Sequence, residues 1–290
     1  MKKDLISIAD INYDETVKLI SNTFILKEKQ KKNNKYHPLV GKSLGMIFQK
    51  PSTRTATSFA VGVYQLGGLP IMFSARDLQL QRGESISDTA RVLDRYLDML
   101  MIRANRHSEV VNLAQHAGIP VINGLTDKEH PCQALADIFT LVEKKNLKNK
   151  LNKSVFNTLK ISYVGDSNNV ANSLLLICAV LGINIRIASP KGYEPDKNIL
   201  SQAKEVAAGS NAKIDIIQNP HEAVNGCDAI YTDVWTSMGK EEEQENRKNI
   251  FKDYQVNESL VSEALPGALV MHCLPAHRGE EITSGVVDGG

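Results

Sequence analysis

Along the 290-residue chain, short apolar runs alternate with longer amphipathic stretches. Leu44–Phe48, Leu69–Phe73, Asp98–Ile102 and Ile119–Ile122 are such runs in the first half. Leu159–Val164, Ile183–Ala188, Ala212–Ile217, Asp228–Thr232 and Ala268–His272 are their counterparts in the second. Each is about a strand long, rich in Ile, Val, Leu or Met, and mostly apolar on both faces, as buried parallel strands are. Helix-type segments lie between them: Ala56–Leu66, Asp88–Leu97, His107–His116, Gln133–Lys145 and Ala171–Leu181. Gly67-Gly68 and Gly182 follow two of these and supply the turn that ends a helix. Strand and helix alternating over the whole length predict an α/β protein built on doubly wound parallel sheets.

The alternation pauses once, at Lys144–Ser154 (KKNLKNKLNKS), a polar lysine-rich stretch without periodicity that reads as an exposed linker. It separates two α/β domains, 1–145 and 155–290. Lys27–Lys35 and Asn249–Val256 read as solvated surface, and no solenoid-type repeat is present.

The unusual polar residues sit where the strands end. In open parallel sheets, ligands bind beyond the carboxyl ends of the strands, where loops lead into helices. Pro51-Ser52-Thr53-Arg54-Thr55 follows the first strand, Arg103 the third, and His130-Pro131-Cys132-Gln133 closes the loop after the fourth. In the second half Gly165-Asp166-Ser167-Asn168-Asn169, Asp233 to Gly239 and His272-Cys273-Leu274-Pro275 stand in the same place. Both halves aim polar loops the same way, which suits a cleft between domains with one substrate held by each.

Ser52–Thr55 opens a helix, so backbone N–H groups, hydroxyls and a guanidinium converge on one point and favour an anion such as phosphate. The same residues also make an ordinary helix cap with a surface arginine. Arg103 ends a buried strand and needs an anionic partner, either a local acid or, with Arg54, a dianionic ligand. His130 can polarise a carbonyl, or serve as a turn histidine bonded to backbone. Asp233 and Cys273 can hold an ammonium group. Neither a Walker loop nor a G-x-G-x-x-G fingerprint is present, which disfavours a nucleoside triphosphate or dinucleotide. A metal site from His272, Cys273 and His277 is disfavoured because Pro275 breaks helical spacing and no fourth ligand is near.

Composition narrows the class further. Hydrophobic residues make up 42% and charged residues 23%, the balance of a globular chain. Lys plus Arg is 34 against 33 Asp plus Glu, so net charge gives no reason to expect nucleic acid or a membrane surface as partner. Neither a signal peptide nor a transmembrane run is expected. Cys132, Cys178, Cys227 and Cys273 are widely spaced without C-x-x-C, the pattern of free thiols in a reducing, cytoplasmic setting.

Taken in order, FQKPSTRTATSF, LQLQRGESISDTARVL, MIR, VINGLTDKEHPCQALAD, GDSNNVANSLL, DVWTSMGKEEE and HCLPAHRGEE resemble the aspartate/ornithine carbamoyltransferase family, its ornithine branch most closely. The resemblance implies transfer of a carbamoyl group from carbamoyl phosphate to the δ-amino group of L-ornithine, giving L-citrulline and phosphate. It also implies no metal and no organic cofactor. Residues 1–145 would bind carbamoyl phosphate and residues 155–290 ornithine.

By the same resemblance Ser52, Thr53, Arg54 and Thr55 hold the phosphate with Arg103. Thr55, Arg103, His130 and Gln133 surround the carbamoyl group. Gln79 reaches a neighbouring subunit's site in a homotrimer. Asn169, Asp233, Ser237 and Met238 contact ornithine, and Cys273 and Leu274 lie beside the reacting amine and the carbamoyl group. Arg54, His130, Asp233 and Cys273 are the expected catalytic set, with Asp233 and Cys273 helping the δ-ammonium lose its proton. Two departures stand out: Gln81 replaces a glycine common in relatives, and the family's C-terminal helix would lie beyond Asp288-Gly289-Gly290. The alternatives are a carbamoyltransferase for another amine such as putrescine, a silent binding relative, and a nucleotide-binding oxidoreductase. Metabolic direction, arginine biosynthesis or the arginine deiminase route, stays open.

Overall fold

The computed structural model describes residues 3–74, 78, 83–236 and 244–289. Its chain forms two compact units, 1–132 and 133–290. The first runs α1 (Tyr13–Lys31), β1 (Ser43–Phe48), α2 (Thr53–Gln65), β2 (Leu69–Ser74), α3 (Ile86–Leu93) and β3 (Met99–Arg103). It continues with α4 (His107–His116), β4 (Val121–Leu125) and the first residues of α5 (Pro131–Lys144). The four strands are all parallel, in the order β2-β1-β3-β4. Leu44, Met46, Ile47, Leu100, Met101, Ile102 and Val121 are buried, so the apolar runs fill both faces of the sheet as their composition predicts. Each expected strand forms within three residues of its run.

The N-terminal segment closes one edge of this sheet. Leu5 N donates to Val121 O at 2.9 Å and Asn123 N donates to Leu5 O at 2.8 Å. These bonds give β4 a partner and remove a free strand edge.

The second unit takes up α5 and runs α6 (Lys153–Phe156), β5 (Lys160–Val164), α7 (Asn169–Leu181), β6 (Asn184–Ala188) and α8 (Lys197–Ser210). There follow β7 (Ile214–Ile217), α9 (Pro220–Val224), β8 (Ala229–Thr232), α10 (Gln244–Phe251), α11 (Glu258–Val261), β9 (Leu269–His272) and α12 (Ser284–Asp288). Its sheet is also parallel, in the order β7-β6-β5-β8-β9. Every residue from Val170 to Leu181 is buried, which is why α7 is apolar all round and Cys178 is a core residue. Gly182 ends α7 at φ +84°, and a Cβ there would stand 2.6 Å from Asn157 Nδ2 and 2.8 Å from Ser210 O.

One expectation is overturned. Asn249–Val256 is not solvated surface: Phe251, Tyr254 and Val256 are buried in the core of the second unit. Lysines and acids mask the stripe in the sequence, but Phe251 stacks on Trp235 at 5.8 Å and meets Tyr193 edge-on at 4.8 Å. Tyr254 keeps its hydroxyl wetted by protein, donating to Gln218 O at 2.6 Å. The lysine-rich stretch expected to link the domains lies between the end of α5 and the start of α6.

Candidate active site

Both sheets reverse their winding beside their first strand. In the first unit the chain goes outward from β1 to β2, then returns to β3 on the other side of β1. In the second it goes from β5 out to β7 and returns to β8. Such switch points open a crevice at the carboxyl ends of the two flanking strands. The candidate residues of each unit cluster there.

In the first unit Ser52 caps α2, its Oγ accepting Thr55 N at 3.3 Å. Thr53 and Arg54 form the exposed first turn, so the dipole of a 13-residue helix faces outward there. Arg103, the last residue of β3, is buried, and its Nη1 donates to Thr55 Oγ1 at 3.4 Å. The register sets Arg103 beside Phe48, and Gln49 N donates to Arg103 O at 3.0 Å. Gln49 Oε1 then accepts Asn105 N at 2.7 Å, which pins the two strand ends together.

His130 ends the loop after β4, just before α5, and is nine-tenths buried. Burial, and then the charge of Arg103, pull its pKa down to about 3. The imidazole is therefore neutral at ordinary pH and can donate to a carbonyl oxygen while leaving the local positive charge to Arg103. Thr126 and Glu129 hold the loop: Thr126 N donates to Glu129 O at 2.9 Å and Glu129 N to Thr126 Oγ1 at 3.1 Å. Cys132, although in the same motif, is structural; its thiol donates to Asn123 O at 3.4 Å and burial pushes its pKa up to about 12.

In the second unit Asp233 follows β8 and is buried. Its Oδ1 accepts Cys273 Sγ at 3.0 Å and Val234 N at 2.8 Å, and its Oδ2 accepts Asn168 Nδ2 at 2.7 Å. Cys273 follows β9, the strand next to β8, so the parallel ladder brings the two residues together. Leu274 sits in the left-handed region at φ +61°, and its N–H donates to His272 Nδ1 at 2.8 Å. Since that nitrogen accepts, the other carries the proton, and His272 Nε2 donates to Glu281 Oε1 at 3.0 Å. A branched side chain held at positive φ is a strained position, kept here by the bond to His272.

Gln133 lies in the first turn of α5, which begins at Pro131. Its Nε2 donates to Asp137 Oδ1 at 2.9 Å. Burial pushes the Asp137 pKa up to about 7, against the bond from Gln133 that lowers it.

Asn169 starts α7, and Asn168 before it binds into the cluster. Its Oδ1 caps the helix, accepting Val170 N at 2.9 Å and Ala171 N at 3.3 Å, which leaves Nδ2 for Asp233. Tyr163 supports the same turn, its hydroxyl donating to Asp166 O at 2.7 Å, and stacks on Tyr231 of the next strand at 5.9 Å. Arg247 is a residue the sequence did not single out. It is buried, pairs with Asp166, and donates from Nε to Trp235 O at 2.5 Å, tying the loops after β5 and β8 together. Asn168 was signalled by its cap position before an apolar helix, whereas nothing local marks Arg247 within its charged run. Gln79, Ser237 and Met238, expected from the resemblance, and the departure at Gln81, lie outside the described residues.

Asp233, His272 and Cys273 also offer donor atoms within 4.8 Å of one another. Both His272 nitrogens are already engaged, so a metal there would have to break the bond that holds Leu274 or the one to Glu281. Among the described residues no helix is long and apolar enough to cross a membrane.

The arrangement is that of an α/β enzyme of the two-sheet group-transfer class, with a cationic cluster at one switch point and a carboxylate–thiol cluster at the other. The chain belongs to the aspartate/ornithine carbamoyltransferase family: residues 3–143 match its carbamoyl-P binding domain and residues 157–290 its Asp/Orn binding domain. It is 50% identical over 287 residues to the ornithine carbamoyltransferase of Anoxybacillus flavithermus, covering 99% of this chain and 89% of that one. The anabolic ornithine carbamoyltransferase of Pyrococcus furiosus is 47% identical over 286 residues, covering 99% and 88%. A solved structure of ornithine carbamoyltransferase from the same organism superposes with a TM-score of 0.91, covering 99% of this chain and 89% of that one.

Proposed function

We propose that this enzyme transfers the carbamoyl group of carbamoyl phosphate to the δ-amino group of L-ornithine, releasing L-citrulline and phosphate. The observation that carries the reading is the pair of switch-point clusters, one rich in anion donors and one built on a carboxylate and a thiol. Ser52, Thr53, Arg54, Thr55 and Arg103 take the phosphate of the donor, which is a dianion that needs both cations and helix N–H groups. His130 and Gln133 donate to the carbamoyl oxygen. As the amine attacks, negative charge grows on that oxygen and then on the leaving phosphate, and these fixed donors stabilise it.

Ornithine falls to the second unit. Asp233, Asn169, Ser237 and Met238 hold it, and Cys273 and Leu274 stand beside the δ-amine. With a lysine-like pKa of about 10, that amine is mostly an ammonium and must lose a proton before it attacks. Asp233 orients it and, with the thiol, gives the proton a route away; Cys273 forms no covalent bond to the substrate. Neither metal nor organic cofactor enters this scheme.

The proposed domain roles follow: residues 1–145 for carbamoyl phosphate and 155–290 for ornithine. A homotrimer is proposed as well, with Gln79 reaching the neighbouring site. It is supported by an exposed apolar face on edge strand β2 (Leu69, Met72) and α2 (Val61, Tyr64), which a second copy of the chain would cover. Cytoplasmic location is proposed from free thiols and composition.

Colorimetric assay of ureido product with ornithine, putrescine and aspartate as parallel acceptors tests the reaction. The expected result is strong product with ornithine alone. Turnover with another amine would keep the phosphate half and overturn the acceptor; no turnover with any acceptor would favour a silent relative.

A further inference from the structure

The segment after β9 carries a second set of donors that the transfer reaction does not use. Glu280 N donates to His277 O at 2.9 Å, and Gly279 stands at φ +88°, so residues 277–280 make a tight turn with glycine where positive φ is required. The turn sets His277 Nδ1 3.7 Å from Glu280 Oε2. Glu281, next in the chain, is wholly buried.

Each glutamate has one oxygen committed. Glu280 Oε1 faces Lys248 Nζ at 3.1 Å and accepts Gln244 Nε2 at 3.4 Å. Glu281 Oε1 accepts His272 Nε2 at 3.0 Å and His277 N at 2.6 Å. Among the described residues, the remaining atoms, Oε2 of both glutamates and Nδ1 of His277, are shut off from solvent and have no hydrogen-bond partner. One ligand atom from each residue lies within 4.8 Å of the other two. Burial of carboxylate oxygens without a partner is costly, and a cation removes that cost.

We propose that His277, Glu280 and Glu281 bind a divalent cation of the Mn2+ or Zn2+ type. One imidazole nitrogen and two carboxylate oxygens are a donor set such ions accept, and no thiolate is included to favour softer metals. Metal bonds of about 2.1 Å put neighbouring donors roughly 3–4 Å apart, so small side-chain rotations close the site. Lys248 neutralises one carboxylate through its far oxygen, and the cation offsets the other. The ion reaches the active site through Glu281. That carboxylate holds His272 Nε2–H, and His272 Nδ1 receives Leu274 N, so an occupied site stiffens the turn that presents Cys273 and Leu274.

The experiment is a titration of the whole protein with Mn2+ followed by electron paramagnetic resonance, on wild type and on His277→Gln, Glu280→Gln and Cys273→Ser. Circular dichroism establishes that each variant is folded. The expected result is one ion per chain in wild type and in Cys273→Ser, with binding at least tenfold weaker in both His277→Gln and Glu280→Gln. Unsaturated signal at millimolar Mn2+ would overturn the proposal, as would unchanged binding in those two variants. Loss of the ion in Cys273→Ser alone would move the site to Asp233, His272 and Cys273 and overturn it too.

Discussion

Arg103 shows how a single residue becomes chemically useful through its place in the fold. At the end of a buried central strand it has lost most of its water, and its Nη1 is steered by Thr55 Oγ1. A hydrogen bond from a charged group contributes about 1.5–3 kcal/mol, so Arg103→Gln should raise the KM for carbamoyl phosphate roughly ten- to hundredfold. Initial rates at varied donor and saturating ornithine measure this; an unchanged KM would remove Arg103 from the phosphate site. Cys273 acts at the other cluster, where its thiol donates to Asp233 at 3.0 Å. Cys273→Ala should lower kcat most at low pH, where the acceptor amine has most proton to lose. A pH–rate profile parallel to wild type would end the proton-transfer role. Cys273 was legible as a candidate because it follows a strand, yet its partner Asp233 lies 40 residues away and only the β8–β9 ladder joins them.

At the scale of the element, the helix N-termini do the positioning. α2 and α7 both start at the carboxyl end of the first strand of their sheet, and both are capped by a side chain, Ser52 and Asn168. Asn168 has a double task, since its oxygen caps α7 while its amide holds Asp233. Asn168→Ala should cost about 1 kcal/mol in stability, the usual worth of a cap, and raise the KM for ornithine while leaving that for carbamoyl phosphate unchanged. Thermal melts and the two KM values check it; equal effects on both substrates would mean a general loosening. The strands were readable almost to the residue because parallel strands buried on both faces leave continuous apolar runs. α10 was not, because residues 244–249 are polar and only Ile250 and Phe251 at its end are apolar. Its contribution, Arg247 against Asp166 and Trp235 O, depends on residues far apart in the chain.

For the whole molecule, pH is the readout of what has been buried. Asp137 is held at a pKa of about 7, against about 3.9 for a free side chain. Between those values the native chain keeps a proton that the unfolded chain has released, so the contribution of Asp137 to stability falls as pH rises from about 4 to about 7. Asp137→Asn keeps an acceptor for Gln133 and removes that penalty, so its melting temperature relative to wild type should climb across this window. A difference that stays flat would mean the carboxylate is solvated after all. His130 works in the opposite sense: with its pKa lowered to about 3, the unfolded chain binds the extra proton below about 6.5, so stability falls as the solution is acidified.

Neither shift could be read from the sequence, since both come from burial. The capped start of α2 was readable, because Ser52 with an arginine two residues on is a local pattern. The central claim is the proposed reaction, transfer of the carbamoyl group of carbamoyl phosphate to the δ-amine of ornithine. The most direct measurement supplies carbamoyl phosphate labelled with 13C at its carbonyl, together with L-ornithine, and follows carbon and phosphorus resonances together. The account predicts that the label moves into the ureido carbon of citrulline, with one phosphate released per citrulline formed. Phosphate released without labelled citrulline, or label appearing on the α-amino group, would contradict it.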